Sequence, residues 1–146
     1  MTQNGRATAI ACVRGGDTFP NLYGMVRFIP RGSRTLVVAE ISNLPATATD
    51  FFAFHIHEGG NCSGIDFSNT GSHYNPNDRE HPQHAGDLPS LLSCGGSAFL
   101  AVLTDRFRVK DILGKTVVIH SQPDDFTTQP SGNAGNKIAC GVICKA

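Results

Sequence analysis

The histidines are the residues of this chain best suited to chemistry, because imidazole is a common ligand for transition metals. His55 and His57 are two positions apart in FFAFHIHEGG. Alternate side chains of a β-strand emerge on the same face, so these two imidazoles are expected to reach one ion. An H-x-H pair also occurs in strands that bind nothing, and alone it leaves both interpretations open.

Four more potential ligands follow within a short, loop-like stretch. His73, His81, His84 and Asp87 lie in GSHYNPNDREHPQHAGD. Three imidazoles and one carboxylate form a complete tetrahedral donor set for zinc, and a site closed by four protein ligands is structural rather than hydrolytic. His120, at the end of TVVIH, is the last of the six histidines. We therefore predict a metal centre that uses all six.

The elements that position these residues are predicted to be strands. The chain has 16 Gly and 8 Pro, with β-branched runs between them and no stripe of 3.6-residue period, which favours an all-β fold. Strands are predicted at residues 6–13, 22–29, 34–41, 51–57, 96–104, 115–120 and 137–144. Residues 58–89 and 121–136 are predicted to be two long functional loops, the first ordered by metal or a disulfide.

Length and charge restrict the class of protein. The 146 residues predict one domain, 1–146, and Lys plus Arg equal Asp plus Glu at 12 each, which argues against a nucleic-acid partner. No apolar run approaches the ~20 residues of a membrane span, so no membrane partner is expected. MTQNGRATAI lacks the pattern of a signal peptide, which predicts a cytoplasmic location, or a periplasmic or extracellular one if a signal has been removed.

Five segments resemble the motifs of copper/zinc superoxide dismutases: HIHEGGNCSG, GSHYNP, HPQHAGDL, GKTVVIHSQPDD and GNAGNKIACGVI. The resemblance extends from residue 51 to the C-terminus and implies a Greek-key, eight-stranded β-sandwich or flattened barrel with copper and zinc as cofactors. Copper would be bound by His55, His57, His73 and His120, and zinc by His73, His81, His84 and Asp87. His73 would bridge both ions as an imidazolate.

The activity that the resemblance implies is the conversion of superoxide to oxygen and hydrogen peroxide. Copper would cycle between two oxidation states, and zinc, which has no redox chemistry, would be structural. His73 would leave copper in one half of the cycle and carry a proton on the nitrogen released. A non-enzymatic copper- and zinc-binding protein of the same fold is the alternative.

The resemblance also implies roles for residues outside the ligand sets. Asp124 would link His55 with His81, although an aspartate in QPDD can instead start a turn. Cys62 and Cys140 match the positions of a disulfide between the long loop and the last strand. The remaining cysteines are expected to be small buried residues, with a Cys12–Cys144 pair as an alternative; they are Cys12, Cys94 and Cys144.

Lys137 departs from the pattern, because the family usually has an arginine there that orients superoxide above copper. Lysine keeps the charge but lacks the planar fork of donors, so we expect dismutation that is retained but reduced. The short segment after His57 and the short 121–136 loop are similar to those of bacterial members. A homodimer and a copper-delivery partner are both compatible with the resemblance, and the oligomeric state stays open.

Overall fold

The computed structural model describes residues 5–146 and contains eight antiparallel strands. The strands are β1 Ala9–Gly15, β2 Tyr23–Arg31, β3 Arg34–Ser42, β4 Phe51–His57, β5 Asp87–Leu92, β6 Ala98–Thr104, β7 Thr116–His120 and β8 Lys137–Lys145. A 3-10 helix spans Ile65–Thr70, and a short helix, α1, spans Val109–Ile112. No helix among the described residues is long and apolar enough to cross a membrane.

The strands form one sheet in the order β5-β4-β7-β8-β1-β2-β3-β6. The two end strands, β5 and β6, contact each other, so the sheet curls into a nearly closed barrel. Pairing of β3 with β6 and of β4 with β7 requires connections that cross the ends of the barrel. The predicted all-β Greek-key fold with eight strands is therefore confirmed.

The barrel is filled by side chains that alternate along each strand. In β4, Phe52, Phe54 and Ile56 face the core and are fully buried. The opposite face of β4 is also buried, which is unusual for a strand of an antiparallel sheet because one face normally meets water. The two long loops provide this second cover, and β4 therefore presents its outward side chains to an enclosed space.

Two details differ from the sequence prediction. β5 begins at Asp87, inside the stretch predicted as loop, and contains Pro89. A proline is tolerated there because β5 is a terminal strand of the sheet and one edge needs no ladder donor. The first long loop is also partly ordered by the 3-10 helix Ile65–Thr70.

The prediction that the three free cysteines are buried is wrong. Cys12, Cys94 and Cys144 are all exposed thiols, and none is in a disulfide. Cys12 lies between Ala11 and Val13, which both face the core, so strand alternation turns Cys12 outward. The same alternation turns Cys144 outward beside buried Ile143.

Candidate metal centre

The outward face of β4 carries the first two histidines. His55 and His57 are both buried, and they share a face because they are two residues apart in the strand. His120 ends the neighbouring strand β7, where the pairing with β8 shifts register between Ile119 and His120. At this irregularity the side chain of His120 lies on the same side of the sheet as His55 and His57.

The long loop adds a fourth imidazole through backbone pairing with β4. His73 forms an isolated β-bridge with His57, and the N–H of Tyr74 donates to the carbonyl of Ile56 at 2.8 Å. The N–H of Ile56 in turn donates to Gly86 at 2.9 Å. These bonds hold the loop against the strand and fix where His73 enters the site.

These four histidines form one group whose ligand atoms lie within 4.8 Å of one another: His55, His57, His73 and His120. Nε2 of His57 lies 3.2 Å from Nε2 of His120. Nδ1 of His55 and Nε2 of His73 are buried and have no hydrogen-bond partner. Buried polar atoms without partners are rare in native proteins, so this arrangement indicates a ligand between the rings.

A second group has the spacing of a zinc site. Nδ1 of His73 lies 3.2 Å from Nδ1 of His84 and 2.8 Å from Oδ1 of Asp87. Oδ2 of Asp87 lies 3.0 Å from Nδ1 of His81 and 3.2 Å from Nδ1 of His84. Tetrahedral donors around an ion at about 2.0–2.1 Å are roughly 3.3 Å apart, so the distances in this group are compatible with zinc.

His73 belongs to both groups. Its Nδ1 points to Asp87 and His84, and its Nε2 is the unpartnered atom of the first group. Its ring centroid lies 4.0 Å from that of His55. One imidazole therefore has each of its two nitrogens in a different ligand set.

Asp124 lies beneath the two groups and contacts one histidine of each. Nε2 of His55 donates to Oδ2 of Asp124 at 2.8 Å, and Nε2 of His81 donates to Oδ1 at 2.7 Å. A carboxylate can only accept, so both rings carry their proton on Nε2 and present the lone pair of Nδ1. Both Nδ1 atoms are buried without a hydrogen-bond partner.

The loop after β7 supports this contact with two residues that the sequence analysis missed. The side chain of Gln129 accepts from the N–H of His81 at 2.9 Å and donates to its carbonyl at 2.7 Å. Gly132 has φ +73°, and a Cβ there would overlap Oδ1 of Asp124 and Nε2 of His81. The glycine in PSGNAG was a visible signal, whereas nothing marks Gln129.

Burial favours the neutral form of three histidines of the first group, His55, His57 and His120, because it lowers their pKa. Burial and repulsion from His120 lower the pKa of His57 to about 2, and burial and repulsion from His55 lower the pKa of His120 to about 3. Burial alone would raise the pKa of Asp124, but hydrogen bonds from His55 and His81 outweigh it and lower the pKa to about 2. Neutral imidazoles and ionised carboxylates are the forms that bind metals.

Lys137 is a cation beside the first group, and its charge acts on His57 and His120. It is the first residue of β8 and pairs with His120 across the sheet. Its ammonium donates to the hydroxyl of Thr70 at 2.8 Å and to the carbonyl of Gly71 at 3.0 Å. Partial burial lowers its pKa. The same Gly71 carbonyl accepts from Nδ1 of His57 at 2.8 Å. The proton of that ring is therefore on Nδ1, and the lone pair of Nε2 can bind an ion.

The loop that carries Thr70 and Gly71 is covalently tied to β8. Cys62 and Cys140 form a disulfide with a Cα–Cα distance of 5.8 Å and a sequence separation of 78. The disulfide implied by the resemblance is therefore confirmed.

Comparisons with known proteins agree with this geometry. Residues 22–143 match the sequence pattern of the copper/zinc superoxide dismutases. Two proteins of Aquifex aeolicus (strain VF5), superoxide dismutases [Cu-Zn] 1 and 2, are 39% and 37% identical to this chain. The alignments cover 82% of this chain and 79% of the first, and 87% of this chain and 82% of the second. The superoxide dismutase-like protein YojM of Bacillus subtilis (strain 168) is 36% identical, over 62% of this chain and 54% of that protein.

Proposed function

Because this chain belongs to the copper/zinc superoxide dismutase family and is an enzyme that acts on superoxide with copper and zinc as cofactors, we propose a role for each group of residues at the metal centre. Copper, when bound, supplies one-electron chemistry, and zinc supplies none.

We propose that the two ligand groups bind different metals. The four-histidine group suits copper, since imidazoles match copper and leave room for a substrate. The group that contains Asp87 suits zinc, because its N and O donors are spaced as a closed tetrahedral site requires. The assignment is thus copper on His55, His57, His73 and His120, and zinc on His73, His81, His84 and Asp87.

We propose that His73 is the residue that moves a proton. Its Nε2 lies in the copper group, and its Nδ1 is anchored in the zinc group 2.8 Å from Asp87. A ring that is held through Nδ1 keeps its place whichever partner Nε2 has. Nε2 can therefore take up a proton in one half-reaction and donate it in the next to the superoxide that is reduced to hydrogen peroxide, with the second proton coming from solvent.

Lys137 is proposed to attract and position superoxide. Its ammonium is fixed by Thr70 and Gly71 beside the copper group. An anion that approaches the ring nitrogens of His57 and His120 meets this charge. Asp124 is a positioning residue in this proposal, since it acts through His55 and His81.

The observation that carries the proposal is the shared ring of His73, one nitrogen in each group. The test is metal analysis combined with a superoxide assay on the native chain and on His120→Ala. The native chain should contain about one copper and one zinc, and the variant should keep zinc and lose dismutation. Undiminished turnover by the variant would overturn the copper assignment, and copper binding by the native chain without turnover would favour the non-enzymatic alternative.

We further propose that the chain forms a homodimer through the outer face of β2, β3 and β6. This face exposes Met25, Phe99 and Leu103, with Phe99 66% exposed. Exposed apolar patches on a sheet commonly mark interfaces. Arg27 and Glu40 lie on the same face, on neighbouring strands. A two-fold axis normal to the face can therefore pair Arg27 of one copy with Glu40 of the partner subunit.

Sedimentation velocity tests the dimer. Phe99→Lys should convert a dimer into a monomer, because it places a charge on the apolar face at its most exposed apolar side chain among Met25, Phe99 and Leu103. Ile65→Lys is the matched control, since Ile65 is 87% exposed on the distant 3-10 helix. A monomeric native chain, or a variant that stays dimeric, would contradict this interface.

For the compartment, we propose an oxidising one, periplasmic or extracellular, in place of the cytoplasm. The Cys62–Cys140 disulfide supports this, because disulfides persist where thiols are not kept reduced. We also propose that residues 1–146 form one domain, since the described strands share a single core. The copper-delivery partner stays a prediction.

A further inference from the structure

A groove of about 540 Å³ lies at the end of the barrel where β2 turns into β3 and where β8 ends. Its floor is apolar and includes Pro30, Val109 and Leu113. Its rim is cationic, with five side chains from four separate places in the sequence: Arg6, Arg34, Arg108, Lys110 and Lys145.

The rim carries a large excess of positive charge, because the terminal carboxylate of Ala146 is the one anion among the described residues that line the groove. Five of the twelve Lys and Arg residues of an electrically neutral chain line this groove, and no aspartate or glutamate lines it. Within residues 5–146, every ion pair joins a histidine to an aspartate at the metal centre. The nearby Asp111 carboxylate accepts from the N–H of Arg108 at 2.9 Å, which caps α1. Like charges gathered without partners repel one another, and an anionic ligand relieves that repulsion.

The groove is remote from the copper group. Lys145 and Lys137 are at opposite ends of β8, about 26 Å apart at roughly 3.3 Å per residue. At physiological ionic strength the Debye length is about 8 Å, so the rim contributes little to the field at Lys137. The ligand that we assign to these rim charges is therefore not superoxide at the copper group.

The lining indicates the chemistry of that ligand. The groove contains no aromatic side chain, whereas single-stranded nucleic acids are usually held by stacking on aromatic rings. A concave apolar floor also fits a chain better than a flat lipid surface. An extended peptide places alternate side chains on opposite sides, so acidic residues can reach the rim while apolar residues contact Val109 and Leu113. We propose that this groove binds an extended segment of another protein in which acidic and apolar residues alternate.

Fluorescence anisotropy with a short labelled peptide of alternating glutamate and leucine tests the proposal on the fully metallated enzyme. Arg34→Glu combined with Lys110→Glu should weaken binding by about 10-fold or more, since both rim charges are reversed. The control, Arg14→Glu combined with Arg79→Glu, changes the net charge equally at exposed positions elsewhere, and its affinity should stay within about twofold of native at physiological salt.

Changes in the peptide test the apolar floor and the cationic rim separately, without altering the protein. A glutamate–serine peptide should bind more weakly than the glutamate–leucine peptide, and a lysine–leucine peptide should not bind. Equal affinity of any two of these peptides would overturn the proposal. So would tighter binding of oligothymidine or of phosphatidylglycerol vesicles, or equal affinity of the two double variants. Dismutation by the rim variant should equal that of the native enzyme, and its loss would place these charges in the catalytic path instead.

Discussion

Lys137 and His57 donate hydrogen bonds to the same acceptor, the carbonyl oxygen of Gly71, at 3.0 and 2.8 Å. The cation that we propose attracts superoxide and a histidine that we propose binds copper are therefore fixed by one atom of the long loop. Any movement of Gly71 would shift both side chains together. The position of the charge relative to the ring is thus a property of the loop as well as of β8.

This geometry leads to a prediction for Lys137→Arg. A guanidinium can keep the contacts to Thr70 and Gly71 and still direct further N–H groups at an anion, whereas the ammonium cannot form a fork. We expect kcat/KM for superoxide to rise by roughly 2- to 10-fold. Lys137→Met should lower it by about 10-fold and flatten its dependence on salt.

Pulse radiolysis at low and physiological ionic strength measures both effects. Lys145→Met is the control, because it removes the same charge from the far end of the same strand. An arginine variant that is no faster than native at low salt would show that the fork geometry does not limit the reaction.

Asp124→Asn is expected to weaken both metal sites. The asparagine amide can accept from only one of His55 and His81 and turns an N–H group towards the other, so one ring loses the partner that fixes its tautomer. Loss of such a partner typically costs 10- to 100-fold in metal affinity. Competition with chelators for zinc and for copper measures the change.

Asp125→Asn is the matched control for this substitution. Asp125 is adjacent but exposed, and its carboxylate accepts only from Thr127 and Thr128 within its own loop. Metal affinities of this variant should equal those of the native chain. Equal losses in both variants would mean that loop stability, rather than the contact to the histidines, controls metal binding.

Much of the fold follows from local patterns. Strands such as β3 and β4 are bounded by turn residues and contain short apolar runs, and the sequence places them to within a few residues. β5 was missed because Pro89 interrupts the strand pattern. The proline is tolerated because β5 is a terminal strand of the sheet, and that position depends on pairing between strands that are distant in sequence. The exposure of Cys12 could have been deduced from its buried neighbours Ala11 and Val13.

The residues of the two histidine groups and Asp124 were predicted from residue types and motif resemblance, whereas Gln129 and Gly132 were not. Gln129 holds the backbone of His81 across 48 positions of sequence, and no local pattern indicates such a pairing. Gly132 is needed for the approach of Asp124 to His81, a requirement that appears only when both loops are folded. The basic groove likewise gathers residues that are scattered along the chain.

Removal of the disulfide should destabilise the protein substantially. Cys62→Ser with Cys140→Ser opens a loop of 78 residues, and chain entropy predicts a loss of about 4 kcal/mol in the free energy of unfolding. The loop that carries Thr70 and Gly71 also loses its tether to β8, so dismutation should fall as well. Urea denaturation of the metal-free protein measures the stability.

Cys12→Ser with Cys94→Ser is the control for the disulfide. Both cysteines are exposed and unpaired, and surface substitutions usually change stability by less than about 0.5 kcal/mol. A disulfide variant as stable as this control would show that the metal ligands alone organise the loop.

The metal-free protein should lose stability as the pH falls below about 6.5. In the folded chain the pKa of His57 is about 2 and that of His120 about 3, against 6.5 for an ordinary histidine. The unfolded state therefore binds more protons between these values, and acid favours it. Each histidine contributes a slope of up to about 1.4 kcal/mol per pH unit, which is fully developed well below pH 6.5.

Unfolding of the metal-free chain in urea between pH 7.5 and pH 4.5 measures this slope, and metal-free His57→Gln with His120→Gln should show a shallower one. A native chain with equal stability across this range would mean that the site opens and hydrates its histidines when no metal is bound.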